Sequence, residues 1–213
     1  MPVDNWESRL IDAAEYDRLQ QLYGPLAEAV RGLIDATVRT AADEPTIRAA
    51  AAAVESVTAS LQPMSADGRH HLRHADTGRP VLFTNPAAGG RNPIAPPLVV
   101  HHEPDGRAWS DFTLGAAYEG PPGTAHGGIS ALILDQMLGE AATSGLTEPK
   151  FTGTITVRYL RGTPLGPLRV EAWIDRVEEH KTYARGVISD ADGPTVEAEG
   201  VFIKPAWARE SSQ

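Results

Sequence analysis

The sequence predicts an α+β domain preceded by a helical extension, and three observations carry that reading. One segment, about residues 127–144, is apolar on most sides, at Ile129, Ala131, Leu132, Ile133, Leu134, Met137, Leu138 and Ala141. A helix that is apolar nearly all round is a buried one. Two strand-like runs precede it and four follow, separated by Gly-, Pro- and Asp-containing turn signals. The opening of the chain instead repeats its apolar side chains at three- and four-residue spacings, the period of surface helices.

Leu10, Ile11, Ala14, Leu19, Leu22 and Tyr23 mark a first helix, with a break predicted at Gly24-Pro25. Leu26, Val30, Leu33, Ile34, Thr37 and Val38 form the face of a second. Asp43-Glu44-Pro45 is a helix start, and the alanines 49–53 followed by Val54, Val57 and Leu61 continue it, so residues 1–62 read as a helical extension. Residues 63–97 are rich in Pro and Gly without periodicity and read as a connector laid over the domain surface. His70, His71 and His74 lie there; His70 and His74 have helical metal-ligand spacing, but no acidic motif accompanies them and they are given no role. The domain proper is expected over 98–205, with a tail at 206–213. It begins with a hairpin, Leu98 to Glu103 and Ala108 to Leu114, around Pro104-Asp105-Gly106. After Gly120-Pro121-Pro122-Gly123 comes the buried helix, then strands at 151–160, 168–178, 182–189 and 195–204.

Composition removes several function classes. Hydrophobic residues at 41% and charged residues at 22% are ordinary globular usage, which excludes a disordered chain or a fibre. The absence of cysteine removes disulfides, zinc–thiolate sites, iron–sulfur clusters and cysteine nucleophiles together. No run approaches the ~18 apolar residues of a membrane span, and the opening residues lack the pattern of a signal peptide, so the cytoplasm is the expected compartment. The formal charge is −9, and residues 1–62 alone hold ten acidic against five basic side chains. No basic stripe offsets that charge, so no nucleic acid is expected as a partner.

The stretch Tyr118-Glu119-Gly120-Pro121-Pro122-Gly123-Thr124-Ala125-His126-Gly127-Gly128-Ile129, running on to Asp135, resembles the signature of the PaaI-like acyl-CoA thioesterases. Phe151 to Tyr159 is similar to that family's third strand and Ala198 to Ile203 to its last. The resemblance covers about half the chain and implies the hotdog fold, an antiparallel sheet wrapped around one long central helix. It also implies hydrolysis of an acyl-CoA thioester, with no metal and no cofactor beyond the CoA of the substrate. From the family, Thr152 would assist the catalytic acid by holding the attacking water, with Thr154 as the alternate, and His126 would brace the loop or polarise the donor. Many relatives carry an Asn seven residues before the first motif glycine; here that position is Gly120, beside Glu119, as in a Glu-Gly-Pro-Pro-Gly subgroup.

Part of the chemistry follows from the residues alone. Gly127 and Gly128 at a helix start leave backbone N–H groups unpaired and unshielded where the helix dipole is positive, which suits a developing oxyanion. Gly127 is the expected donor, with Gly128 beside the substrate. The bland reading of the pair is a tight helix entry against a strand. Asp135 sits among Leu132, Leu134 and Leu138, and a carboxylate on an apolar helix costs several kcal/mol unless it is paired or functional. It is read as a general base or nucleophile, with bonding to a neighbouring strand's hydroxyls as the plainer account. The eight residues between Gly127 and Asp135 span about 12 Å of helix, too far for both to act on one carbonyl within a single chain. A two-fold axis brings one chain's Gly127 opposite the other's Asp135, so a homodimer or a dimer of dimers is expected. Arg158, Arg161 and Lys181 are candidates for the CoA phosphates. A hotdog hydratase would need an acid and a histidine close together at the helix start, and Asp135 comes too late after His126. A non-catalytic acyl-CoA sensor is the alternative.

Overall fold

Residues 8–62 and 72–209 are described by a computed structural model. Short β1 (Arg9–Ile11) leads into α1 (Ala13–Arg39) and α2 (Glu44–Leu61), and β2 (Leu72–His74) returns to pair with β1 in parallel. Then come β3 (His101–His102), β4 (Ala108–Leu114), a 3₁₀ turn (Ala116–Tyr118), α3 (Gly127–Ala142), β5 (Phe151–Tyr159), β6 (Gly166–Glu178), β7 (Lys181–Asp190), β8 (Gly193–Ile203) and α4 (Ala206–Arg209). Strands β3 to β8 form one antiparallel sheet in the order β3-β4-β6-β7-β8-β5. This is the α+β hotdog arrangement, with α3 against the sheet.

Alternation along each strand places the core. Leu168, Val170 and Ala172 of β6, Thr182, Ala184 and Ile188 of β7, and Val196, Ala198 and Phe202 of β8 are buried two residues apart or multiples of two. The sheet is thinnest where α3 crosses it. Ala172, Gly186 and Ala198 are in register across β6, β7 and β8, and a Cβ at Gly186 would lie 3.3 Å from the methyls of Leu134 and Leu138. Ile133, Leu134, Met137 and Leu138 settle on this floor, fully buried.

A second layer explains why α3 is apolar on its other sides too. The stretch from Phe83 to Leu98 has no regular structure, as its sequence suggests, but it is packed rather than draped: Ala87 and Ala95 are fully buried and Leu98 nearly so. Asn85 ties it down by accepting the backbone N–H groups of Ala87 and Ala88 at its Oδ1 and donating from Nδ2 to Gln136 of α3.

In the extension the break expected at Gly24-Pro25 does not occur. Pro25 lies inside the continuous α1, where its missing N–H forfeits one intrahelical bond. Anchors on both sides of the proline hold one helix face to the body: Tyr16 stacks on Phe83 at 5.3 Å before it, and Arg31 Nε donates to the Ala95 carbonyl after it. Leu10 and Ile11, expected at the start of the helix, belong to β1 instead. Asp43 caps α2 by accepting the Thr46 N–H, with Pro45 in the first turn as the sequence suggests. No residue of α2 is buried. Among the described residues no helix is long and apolar enough to cross a membrane.

Candidate active site

Helix α3 begins at a histidine. His126 has extended backbone dihedrals, and its Nδ1 accepts the Gly128 N–H at 3.0 Å, the N-cap role usually filled by a short oxygen side chain. An accepting Nδ1 puts the neutral ring's proton on Nε2. The His126 carbonyl takes the N–H groups of Ile129 and Ser130, and the His126 N–H is spent on Tyr118. Of the two glycine amides that the sequence singled out, Gly128's is therefore consumed by the cap. The Gly127 N–H makes no hydrogen bond among the described residues. The Gly127 carbonyl accepts the Tyr159 hydroxyl at 2.9 Å, and a Cβ at 127 would come within 3.1 Å of that ring, so any side chain there would crowd the Tyr159 ring.

The loop before the helix explains the departure at Gly120. A Cβ there would lie 2.8 Å from the His126 Cα, so an Asn at this position would push the cap aside. Glu119 holds the loop from within by accepting the Gly123 N–H at 2.6 Å.

Two turns along α3, Asp135 is half-buried rather than enclosed, and the Thr152 hydroxyl donates to its Oδ1 at 2.9 Å. Its Oδ2 has no partner among the described residues. Strict alternation would put Thr152, Thr154 and Thr156 on one face, but the pairing of β5 with β8 shifts register between Thr152 and Thr154. That bulge, with Gly153 packed against Ile203, turns Thr152 onto Asp135 independently of Thr154. A glycine inside a threonine-rich strand is a legible sign of such a bulge.

The deeply buried carboxylate of α3 is one that sequence reasoning passed over. Glu140 is fully buried; Arg79 Nη2 and His102 Nε2 each lie 3.2 Å from its Oε2, and Gln136 Nε2 donates to Oε1 at 3.1 Å. Arg79 also donates to the carbonyl of Gly145, in the turn that follows α3. The cluster fastens the covering segment, the hairpin and the helix together.

The three basic candidates do not converge. Arg161 is engaged within its own chain, donating to both oxygens of Asp190 at 2.7 and 2.5 Å and to the Gly193 carbonyl. That guanidinium holds the Asp190 carboxyl down to about 2. Arg158 is exposed and 3.9 Å from Glu197, whereas Lys181 pairs in register with Ile203, six residues further along β8, or roughly 20 Å of strand. His70 and His71 lie outside the described residues, and His74 packs against Tyr16 at 4.9 Å.

A long helix held in an antiparallel six-stranded sheet, starting at a glycine whose amide is open, defines a hotdog-fold protein. The chain belongs to the thioesterase superfamily: the model of that family matches residues 122–197. A solved thioesterase superfamily protein, RHA08564, is 32% identical, superposes with a TM-score of 0.75, and covers 85% of this chain and 90% of its own. Human acyl-coenzyme A thioesterase THEM5 is 33% identical over 105 residues, 48% of this chain and 42% of that protein. Acyl-coenzyme A thioesterase THEM4 of Xenopus laevis is 32% identical over 96 residues, 44% and 43% of the two lengths. The chain thus spans less than half the length of these curated relatives.

Proposed function

We propose that this chain hydrolyses acyl-CoA thioesters, as a PaaI-like enzyme, at a site built from two copies. The observation that carries the reading is the open N–H of Gly127 on the same helix as a carboxylate with one oxygen unspent. In this scheme the thioester oxygen lies against the Gly127 amide of one chain, where the helix dipole and the fixed donor stabilise the negative charge of addition. Asp135 of the other chain takes a proton from water as the water oxygen bonds to the carbonyl carbon. Collapse breaks the carbon–sulfur bond, and the proton on Asp135 goes to the departing thiolate, leaving free acid and CoA. Direct attack by Asp135 would bond its carboxylate to the carbonyl carbon as the carbon–sulfur bond breaks and the CoA thiolate leaves; water then opens the mixed anhydride to the free acid and restores the carboxylate, and a proton of that water ends on the thiolate, so both routes use the same groups. Thr152 orients the carboxylate through Oδ1 and leaves Oδ2 to face the water. His126 acts through the cap, spending the Gly128 amide so that Gly127 alone presents a donor. Gly128, Arg158, Arg161 and Lys181 are proposed to line the CoA path; Arg161 would have to leave Asp190 to do so. Residues 98–205 carry the chemistry in this reading, with residues 1–62 and 63–97 as accessory parts, and a cysteine-free chain suits the cytoplasm.

The experiment is a screen of short, medium, long and aromatic acyl-CoAs, following CoA release with a thiol reagent. The chain has no cysteine, so the signal has no protein background. Saturable hydrolysis that Asp135→Asn abolishes supports the proposal. Binding of acyl-CoA without turnover in the wild type would assign the chain to non-catalytic sensing.

A further inference from the structure

Helices α1 and α2 enclose a groove of about 970 Å³ with an apolar lining, remote in sequence from α3 and β5. Leu26, Val30 and Leu33 form one wall and Val54, Val57 and Leu61 the other. Most of these side chains are exposed, although they sit at the spacing by which a helix normally buries one face. Small-molecule sites usually have volumes of ~300 to 1,000 Å³ and combine apolar walls with a few placed polar groups, and this groove stands at the upper end of that range. The placed group is Arg91. Its guanidinium lies 3.6 Å over the Tyr23 ring, both residues line the groove, and Arg91 makes no ion pair among the described residues.

An apolar groove of this volume with one unpaired cation complements an amphiphile with a single anionic head. We propose that the α1–α2 groove binds a long-chain carboxylate, with its hydrocarbon between the two helices and its carboxylate on Arg91. A second copy of the chain is a poorer occupant. The stripe it could insert, Ile47, Val54, Val57 and Leu61, carries no acid, and covering Arg91 with it would bury an unpaired charge. The substrate's acyl tail fits less well too, because a tail entering with its methyl end offers Arg91 nothing. The ligand is a free acid of the class that thioester hydrolysis releases, held outside the catalytic elements, and the inference stands whether or not the chain is a hydrolase.

Titration calorimetry on the full chain with submicellar palmitate, palmityl alcohol and butyrate tests it. Palmitate should bind once per chain, the alcohol about tenfold more weakly for want of the charged hydrogen bond, and butyrate not measurably. Arg91→Gln should bring palmitate down to the affinity of the alcohol, and Val57→Asp should abolish both while leaving hydrolysis of a short acyl-CoA unchanged. Equal binding of palmitate and alcohol by the wild type would overturn the role of Arg91. Absence of palmitate binding, together with dissociation of a dimer by Val57→Asp in light scattering, would give the groove to a second copy.

Discussion

Asp135 and Glu140 stand five residues apart on the same helix, and the fold treats the two carboxylates in opposite ways. Glu140 is fully buried, with a guanidinium, an imidazole and an amide around its two oxygens. Asp135 is half-buried, with a single hydroxyl on one oxygen. A buried charge is tolerated when its lone pairs are filled, and once filled they are unavailable to a substrate. Burial with full pairing therefore suits a carboxylate that holds the structure together, and incomplete satisfaction suits the part proposed for Asp135. Substitutions that keep volume but remove charge should separate the two roles.

The largest effect is expected at Asp135. Asp135→Asn should lower kcat by roughly 10²- to 10⁴-fold, because an amide cannot take the proton of water. The melting temperature should hold, since only one hydroxyl partner is involved. A clear drop in melting temperature with near-normal turnover would reverse the comparison and make Asp135 the structural group.

Glu140→Gln should do the converse. It leaves Arg79 and His102 facing a neutral group, a loss of about 1 to 3 kcal/mol in a denaturant titration. Activity per folded molecule should stay within about twofold, against the ~10²-fold loss expected at Asp135. A loss of kcat comparable to that of Asp135→Asn in fully folded protein would bring Glu140 into the chemistry.

How far each carboxylate could be read from the sequence follows from where its partners lie. The central helix and the four strands after it were legible because each is one continuous pattern, all-round apolar or alternating, with turns between. Asp135 is legible because it interrupts such a pattern, but its half-buried state is not, because a helical wheel does not show which side a neighbouring strand leaves open. Glu140 interrupts the same pattern, yet its partners Arg79 and His102 come from a segment without periodicity and a two-residue strand, where the sequence carries no spacing to read. Pro25 misled for a related reason. The contacts that keep α1 continuous through it, at Phe83 and Ala95, are tertiary, and they override a local helix-breaking signal.

A smaller effect sharpens the contrast at Asp135 itself. Thr152→Val removes the hydroxyl that orients Oδ1 and nearly keeps the shape, so kcat should fall about tenfold, near the free energy of one hydrogen bond to a charged group. Thr154→Val should change little, because the bulge at Gly153 uncouples the two threonines. Equal losses at both positions would mean that the bulge does not select Thr152.

The smallest expected signal, a partial recovery, asks whether the open carboxylate serves its own chain or another. Gly127 and Asp135 lie about 12 Å apart along α3, and a base and an oxyanion donor must both lie within roughly 3 to 4 Å of the carbonyl they serve. If the donor comes from one chain and the base from its partner, two separately inactive variants should rescue each other. Gly127→Val should obstruct the donor by pressing on the Tyr159 ring, which a Cβ already meets at 3.1 Å. Asp135→Asn removes the base and leaves its own Gly127 intact. A mixed dimer then holds one site with both groups intact and one with both lesions. Random pairing makes half the dimers mixed, so activity should return to about one quarter of the wild type. Val at 127 could disturb the cap as well as the donor, so the Gly127→Val homodimer must first be shown folded and dimeric. With mixed dimers confirmed by differential tags, absence of recovery would mean that the site closes within one chain. Asp135 would then have to act on a carbonyl that Gly127 never touches.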